Sequence, residues 1–285
     1  VFYGANASGK SNLLRAMSCF LRIILTSAKE SSSRESIPVS PFKFNERTQK
    51  EPTLFEIEFS ISSTLYRYGF SVTKEKINKE WLFRRDMTQK REIPVFLRNT
   101  ADRRNNIEAP GFKGVDVDGI SKKTRGNALF LSVCDAWAVE EAERIIKYFS
   151  SNIEIVFCEN IASTRRTIID TTEFLKDSNM KIRILDFLKN ADLNIKDIKI
   201  KETEMEFPEE LKAIIQEPSQ KKLTRTEIAS VHNIYDDIGN VIDDEILPFR
   251  FESRGTQKAY SLAGPIIDAL MHGKTLLIDE LDSKL

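Results

Sequence analysis

The chain has 285 residues, of which 41% are hydrophobic and 30% charged, as is typical of a globular protein. Lys and Arg together number 43, as do Asp and Glu, so the zero net charge gives no argument for a nucleic-acid or membrane partner. Cys19, Cys134 and Cys158 have no CxxC spacing, which argues against a zinc site or a disulfide framework and favours a cytoplasmic location. Because no run of about 18 apolar residues indicates a membrane span, we expect no membrane partner.

The first predicted elements are a strand ending at Tyr3, a loop over Gly4–Lys10 and a helix over Ser11–Thr26. Apolar residues recur at helical spacing on one face of this helix, namely Leu13, Leu14, Met17, Phe20, Leu21, Ile24 and Leu25. The chain opens inside an apolar run at Val1 and ends just after a predicted strand. We therefore expect further structure before Val1 and after Leu285.

A β-rich stretch follows, in which apolar and polar residues alternate and predict half-buried strands. The predicted strands are Leu54–Ile61, Leu65–Val72, Ile77–Arg85 and Pro94–Arg98. The short link Ser62–Thr64 predicts an antiparallel hairpin between the first two strands. The polar stretch Thr100–Lys123, interrupted by Pro and Gly, predicts irregular structure.

The second half of the chain alternates predicted helices and strands. In chain order these are a helix over Asn127–Ser150, a strand over Ile153–Phe157, two helical pieces within Thr164–Asn190, and strands over Ile195–Lys201 and Leu223–Val231. A helix over Gln257–Met271 contains Pro265, where we expect a kink. The apolar run Thr275–Ile278 predicts a fully buried strand of a parallel sheet.

The loop after the first strand fits the Walker A pattern GxxxxGK[ST] at every fixed position and lies between a predicted strand and a predicted helix. Its glycines let backbone N–H groups and the helix N-terminus surround phosphates. We expect Lys10 to bind the β- and γ-phosphates of ATP and to act in catalysis, and Ser11 to hold Mg²⁺. The predicted nucleotide-binding residues are Gly4, Ala5, Asn6, Ala7, Ser8, Gly9, Lys10, Ser11 and Asn12. The alternative is a glycine-containing turn that matches by chance.

The last predicted strand is followed by two carboxylates, which is the form of a Walker B segment. Asp279 is placed to reach Mg²⁺, directly or through water, and Glu280 to polarise the attacking water as a general base. Taken alone, the same pattern also fits a buried strand that ends in a solvated acidic turn. The Walker A loop decides between the two, because P-loop enzymes need both segments.

A third motif opens the helix before this strand, in the order in which ABC-type ATPases place their signature. Its residues are Ser253, Arg254, Gly255, Thr256 and Gln257. In those enzymes a Ser side chain, a Gly N–H and the helix N-terminus face the γ-phosphate held by the other subunit. An ordinary Ser-capped helix is the alternative.

Together, YGANASGKSNLL, the β-rich insertion and SRGTQK–helix–TLLIDELDSKL resemble the prokaryotic AAA-type/ABC-like ATPases related to OLD proteins, which are cousins of SMC-class repair ATPases. That family includes abortive-infection and other phage-defence proteins. The resemblance covers the whole chain in layout, but its specific motifs lie only at the two ends. It implies ATP and Mg²⁺ as cofactors and a head-to-tail dimer, or a higher even-numbered oligomer, with ATP between subunits. The residues carried over are Gly4, Asn6, Gly9, Lys10, Ser11, Ser253, Gly255, Asp279 and Glu280.

The fold expected from these observations is α/β, a P-loop NTPase of ABC type with a mostly parallel core sheet. We expect a single ATPase domain over residues 1–285. Within it, residues 1–30 and 248–285 form the P-loop core, 41–98 an antiparallel β subdomain, and 127–222 a mainly helical subdomain before the signature. Gln49 and Gln89 are Q-loop candidates by order alone, and neither His232 nor His272 has the position of a switch histidine.

The expected function is an ATPase that dimerises on ATP and separates on hydrolysis, which switches an effector protein or a fused nuclease domain in antiviral defence. The prediction of an effector rests on family analogy alone. The rival is a DNA-binding clamp or DNA-stimulated ATPase of the SMC repair type, with DNA tracked by paired basic residues. These pairs are Arg84-Arg85, Arg103-Arg104, Lys122-Lys123, Arg165-Arg166 and Lys221-Lys222. Thr164–Asn190 is too short for the long heptad arms of SMC proteins. A third reading, a scaffold that hydrolyses almost nothing, is opposed by Glu280.

Overall fold

The structure is a computed structural model that describes residues 8–29, 32, 35–100, 106–158, 161–206 and 222–279. The chain has a mixed α/β fold and divides into two compact units, Val1–Ile153 and Glu154–Leu285. The predicted strand ending at Tyr3 lies outside the described residues. None of the helices in the described part of the chain combines the length and hydropathy that a membrane span requires.

The first unit contains a five-stranded sheet with the order β1-β2-β3-β4-β5, each strand antiparallel to the next. Its described elements are α1 (Lys10–Thr26), α2 (Glu46–Lys50), β1 (Thr53–Ile61), β2 (Thr64–Val72), β3 (Ile77–Asp86), β4 (Ile93–Asn99), β5 (Asn106–Glu108), α3 (Val117–Lys123), α4 (Phe130–Ala136) and α5 (Glu140–Asn152). The predicted hairpin and four strands are confirmed. Two further elements, β5 and α3, lie in the stretch predicted to be irregular.

One face of this sheet is buried by the helices because every second residue of β2 is apolar. The buried side chains of β2 on this face are Tyr66, Tyr68, Phe70 and Val72. Phe20 of α1 stacks on Phe70 at a centroid distance of 5.5 Å, and Phe149 of α5 meets Phe20 edge-on at 5.6 Å. Only the C-terminal half of α1 is buried. Leu13, predicted to lie on the apolar face, is 50% exposed.

A buried carboxylate joins this sheet to α4. The side chains of Glu80 in β3 and Arg98 in β4 are both fully buried, and their closest atoms, Oε2 and Nη1, lie 3.3 Å apart. Glu80 also accepts hydrogen bonds from the backbone N–H groups of Phe130 at 2.6 Å and Leu131 at 3.0 Å, and from the Tyr68 hydroxyl at 3.0 Å. Burial raises the pKa of Glu80, while Arg98 and the two N–H groups oppose that rise. The carboxylate thus caps α4 from the sheet.

Two buried serines connect α4 to the C-terminal end of α1. The Ser132 hydroxyl donates to the Ile24 carbonyl at 2.6 Å. The Ser27 hydroxyl accepts from the Leu129 N–H at 3.2 Å and lies 3.4 Å from the Ser132 hydroxyl. The helix that begins at Lys10 is therefore fixed at its far end by buried polar contacts as well as by aromatic packing.

The prediction of one helix over Asn127–Ser150 is wrong, because the chain breaks between α4 and α5. Ala138 has a φ of 56°, a left-handed conformation that a right-handed helix cannot contain. The Asn127 side chain instead donates to the carbonyls of Ser32 at 2.8 Å and Glu35 at 3.1 Å, which fixes the loop before α4.

The second unit combines a three-stranded antiparallel sheet, a two-stranded sheet and three helices among its described residues. In chain order the elements are β6 (Ile153–Phe157, starting at the unit boundary), α6 (Ile161–Phe174), α7 (Ser178–Asn190), β7 (Asp197–Glu206), β8 (Lys222–Tyr235), β9 (Val241–Pro248), a 3₁₀ turn (Phe249–Phe251), α8 (Arg254–His272) and β10 (Thr275–Asp279). The predicted break in Thr164–Asn190 is confirmed, and β9 is an element that the sequence did not predict. The stretch 127–222 holds β6 and β7 besides its helices.

The mostly parallel core sheet is only partly seen, as the pair β6–β10 among the described residues. The prediction that Thr275–Ile278 is fully buried is wrong. Thr275 is exposed, and the three apolar residues after it are half-buried. In the described part of the chain β10 has β6 as its one strand neighbour, so only one of its edges is paired there.

Helices α6 and α8 approach closely at a Gly-Pro pair. A Cβ on Gly264 would lie 2.7 Å from Thr171 Oγ1 and 2.8 Å from a ring carbon of Phe174, so only glycine fits there. Pro265 has no N–H to donate to the Ser261 carbonyl four residues earlier. The Thr171 hydroxyl donates to that carbonyl at 2.9 Å instead. The helix therefore continues through Pro265, and the Ser261 carbonyl still accepts a hydrogen bond.

Substituting Arg98→Met should lower the free energy of unfolding by about 3–5 kcal/mol, because it leaves the Glu80 carboxylate buried without its cation. Urea unfolding followed by circular dichroism measures the loss. The matched control is Lys50→Met, which removes a solvent-exposed ion pair with Glu46 in the same unit and should leave the midpoint unchanged. Equal midpoints for both variants would contradict the role assigned to Glu80.

Substituting Thr171→Val should destabilise the second unit by about 1–3 kcal/mol, because the Ser261 carbonyl loses the hydroxyl donor that replaces the missing Pro265 N–H. Thr167→Val is the control. The Thr167 hydroxyl donates to the Ser163 carbonyl at 3.0 Å within α6, where a helical N–H is the ordinary partner of that carbonyl. Thermal unfolding that shows equal losses for the two variants would rule out this explanation.

Candidate nucleotide-binding site

The described end of the Walker A loop leads directly into the N-terminus of α1. Gly9 is the N-cap residue, with φ 93° and ψ 12°, a left-handed conformation that an L-residue with a side chain rarely adopts. Gly9 has no side chain with which to cap the helix, and the first turn of α1 contains no acidic residue. The first N–H groups of a helix carry partial positive charge and lack helical acceptors, so this end suits an anion.

The residues around this helix end fit a phosphate group. Lys10 is exposed and Ser11 half-buried, and among the described residues other than its chain neighbours nothing lies within 4 Å of the position that a Gly9 Cβ would take. Ser8 and Asn12 are both exposed. The other predicted nucleotide-binding residues, Gly4, Ala5, Asn6 and Ala7, lie outside the described residues.

The first Walker B carboxylate ends strand β10. Asp279 is 6% exposed, and its neighbour Glu280 lies outside the described residues. Oxygen atoms of Asp279 and Ser11 are of the type that Mg²⁺ prefers, and Mg²⁺ is commonly held by one or two protein oxygens plus substrate phosphates. Within the described ranges no group of three or more His, Cys, Asp and Glu able to hold a metal occurs, and the role of Ser11 and Asp279 in holding Mg²⁺ stays a prediction.

Ser253, the first signature residue, is the N-cap of α8. Its hydroxyl oxygen accepts from the Thr256 N–H at 3.0 Å and lies 2.8 Å from the Thr256 hydroxyl, so the local geometry is that of a Ser-capped helix, which was the alternative to the signature. Ser253 and Arg254 are exposed and Gly255 is half-buried. The Gln257 amide points back into the preceding turn. The signature role of these residues stays a prediction.

A polar cluster behind the signature was missed by sequence reasoning. The Glu252 carboxylate lies 2.6 Å from His232 Nε2 and accepts a hydrogen bond from the Ser230 hydroxyl. Both partners belong to β8. His232 Nδ1 lies 3.1 Å from the Asn194 carbonyl. The available signal was the spacing of Ser230 and His232, which places both on one face of a strand.

Two of the predicted basic pairs contain a residue that is engaged within the protein. Arg84 contacts Glu141 at 2.6 Å, and the Lys123 ammonium lies 3.5 Å from the centre of the Trp137 ring. Arg103-Arg104 and Lys221 lie outside the described residues. These contacts give no support for a continuous DNA-tracking surface.

A family model described as "AAA domain, putative AbiEii toxin, Type IV TA system" matches residues 1–285. The chain belongs to this AAA domain family. Nucleotide binding is the general property of an AAA domain, and it agrees with the helix end formed by Gly9 and Lys10. The comparison with curated proteins found no match.

In this AAA domain, Gly9→Ala should weaken ATP binding about 5- to 30-fold, because a left-handed alanine costs about 1–2 kcal/mol and the loop relaxes away from its φ of 93°. Titration with a fluorescent ATP analogue measures the affinity. Gly239→Ala introduces the same strain at φ 89° in the turn between β8 and β9, and should leave ATP affinity unchanged. An unaltered affinity in Gly9→Ala would contradict the Walker A assignment.

Proposed function

We propose that the chain is an ATP-hydrolysing ABC-like ATPase, related to the OLD and SMC-class enzymes, that pairs around ATP and switches an effector in prokaryotic antiviral defence. The observation that carries this proposal is Gly9 in a left-handed conformation directly before Lys10 and Ser11, at a helix N-terminus whose first turn contains no acidic residue. Membership of the AAA domain family supports it.

Each Walker residue has one task in this proposal. The Lys10 ammonium binds β- and γ-phosphate oxygens, and the backbone N–H groups at the start of α1 bind the same phosphates. Ser11 and Asp279 supply oxygen ligands for Mg²⁺, which when bound offsets negative charge on the phosphates. Glu280 accepts a proton from the attacking water as general base.

The signature completes the ATP site of a second copy. Ser253 accepts a hydrogen bond from the Thr256 N–H, and it keeps a hydroxyl proton to donate when the Thr256 hydroxyl, 2.8 Å away, acts as the donor of that contact. It can therefore keep the helix cap while donating to a γ-phosphate oxygen. The N–H groups of Arg254 and Gly255, in the first turn of α8, point the same way as the helix dipole and favour an anion.

The switched partner is proposed from the family alone. A type IV toxin–antitoxin system suggests an antitoxin as a further component, and an effector protein or fused nuclease domain would respond to pairing and separation. Pairing covers the signature surface and separation exposes it. A partner that recognises only one of these two states therefore binds in only one phase of the ATP cycle.

Solution mass in Mg-ATP tests the proposal. Glu280→Gln should accumulate as an ATP-dependent dimer or higher even-numbered assembly, because ATP binds but is not hydrolysed. Lys10→Ala should keep the same mass with and without ATP, because the phosphates lose their cation. ATPase rates of both variants should fall to background. Masses that are identical in the two variants and insensitive to ATP would refute pairing around the nucleotide.

A further inference from the structure

Strand β9 lies at an edge of the three-stranded sheet in the second unit. The strand order is β7-β8-β9, so β8 occupies one side of β9 and no described strand pairs with its other side. An edge strand presents backbone N–H and C=O groups that its own sheet does not use, and another chain can pair with them. Every residue from Val241 to Ile246 is exposed, so this strand is open to solvent.

The apolar side chains of β9 are not explained by burial. Val241, Ile242 and Ile246 are 54%, 63% and 48% exposed. On β7, the opposite edge of the same sheet, Ile198 and Ile200 instead pack in the core of the second unit. β7 thus uses its apolar residues for the fold, whereas β9 presents its own to solvent. Exposed apolar residues on an edge strand are typical of a surface that a further strand covers.

The charge of β9 and of the turn before it indicates the chemistry of that further strand. Residues 236–248 contain no basic residue, and their acidic residues are Asp236, Asp237, Asp243, Asp244 and Glu245. The chain as a whole has no net charge, so this excess of negative charge is local. An acidic edge attracts a segment that carries lysine or arginine, and it repels nucleic acid.

The two faces of β9 differ in charge. Because successive side chains of a strand point to opposite faces, Asp243 and Glu245 lie on one face, and Asp244 and Ile246 on the other. The Lys196 ammonium lies 2.7 Å from the Asp244 carboxylate and offsets its charge, so the second face is close to neutral and apolar at Ile246. A strand beside β9 therefore fits both faces when its residues alternate between basic and apolar.

The same charges disfavour a second copy of the chain as the occupant of this edge. Two β9 strands paired antiparallel along their full length would place Asp244 of one copy opposite Glu245 of the other. Like charges directly opposite each other destabilise a strand pair. The acidic centre of β9 therefore works against self-association, as charged side chains do on other edge strands.

We propose that β9 is a docking edge for a basic, extended segment of a partner protein, which adds to the sheet as a fourth strand. Backbone hydrogen bonds along β9 hold the segment. Its lysine or arginine side chains meet Asp243 and Glu245, and its apolar side chains cover Ile246. The inference goes beyond the proposed ATPase and needs neither nucleotide nor pairing, because none of these residues belongs to the Walker or signature segments.

Binding of labelled peptides to the full chain tests the proposal. The probe is a peptide of alternating lysine and valine that has the length of β9, eight residues. A peptide of alternating lysine and proline carries the same charge, but its prolines have no N–H, so it cannot form a strand ladder. Fluorescence anisotropy should show that the lysine–valine peptide binds at least about tenfold more tightly than the lysine–proline peptide.

Two double variants test the role of the β9 charges. Asp243→Asn with Glu245→Gln should weaken binding of the lysine–valine peptide about 3- to 30-fold, because two exposed ion pairs are lost. The matched control is Glu202→Gln with Glu204→Gln, which removes the same charge from β7 and should leave peptide binding unchanged. ATP affinity should be equal in both variants and the parent, which separates this surface from the nucleotide site.

Amide hydrogen exchange locates the bound peptide. The lysine–valine peptide should slow exchange in Val241–Pro248 and leave exchange in Asp197–Glu206 unchanged. Equal binding of the two peptides, or slowed exchange in β7 alone, would overturn docking at β9. Exchange in β9 that is as slow as in β8 without any peptide would also overturn it, because a second copy or another part of the chain would then occupy the edge.

Discussion

Burying an ionised carboxylate is costly unless charge and hydrogen bonds compensate it, and Glu80 is the point where the first unit meets that condition. Its partners come from β2, β4 and the start of α4, so one side chain fixes the distance between the sheet and that helix. Arg98 extends the connection to the Ala128 carbonyl at 2.6 Å. Ser132 then ties α4 to α1, whose first residues are Lys10 and Ser11. The described contacts that anchor α1 thus lie at its C-terminal end, away from the end proposed to bind phosphate.

In the second unit, helix α8 likewise has its packing contacts away from the end where the proposed signature lies. The middle of α8 is fixed on α6 by Gly264 and by the hydroxyl of Thr171, where even one methyl group would not fit. Ser253 and Arg254 at the start of α8 are exposed, and polar contacts of Ser253 and Glu252 hold this end of the helix. A helix that is packed in its centre and exposed at its N-terminus leaves that end accessible to a second molecule, as the proposed pairing requires.

Strands β1 to β4 were predictable because their apolar residues alternate, and α1 because its apolar residues recur with helical spacing. β9 was missed because nearly all of its residues are exposed, so no alternation marks it. The break at Ala138 has no signal, since alanine favours a helix and only the fold imposes its positive φ. Glu80 and Arg98 are 18 residues apart, and His232 and Glu252 are 20 apart. Local patterns cannot pair such residues, whereas the Walker motifs are contiguous and were readable directly.

The central claim is that the signature of one copy completes the ATP site of another, and mixing two defective variants tests it most directly. Lys10→Ala disables its own phosphate-binding loop. Ser253→Asp keeps a good helix cap but places negative charge against the γ-phosphate. Each variant alone should fail to pair in Mg-ATP, whereas their mixture should form pairs containing one chain of each, because one intact loop then meets one intact Ser253. A mixture that stays as unresponsive to ATP as its components would contradict the account.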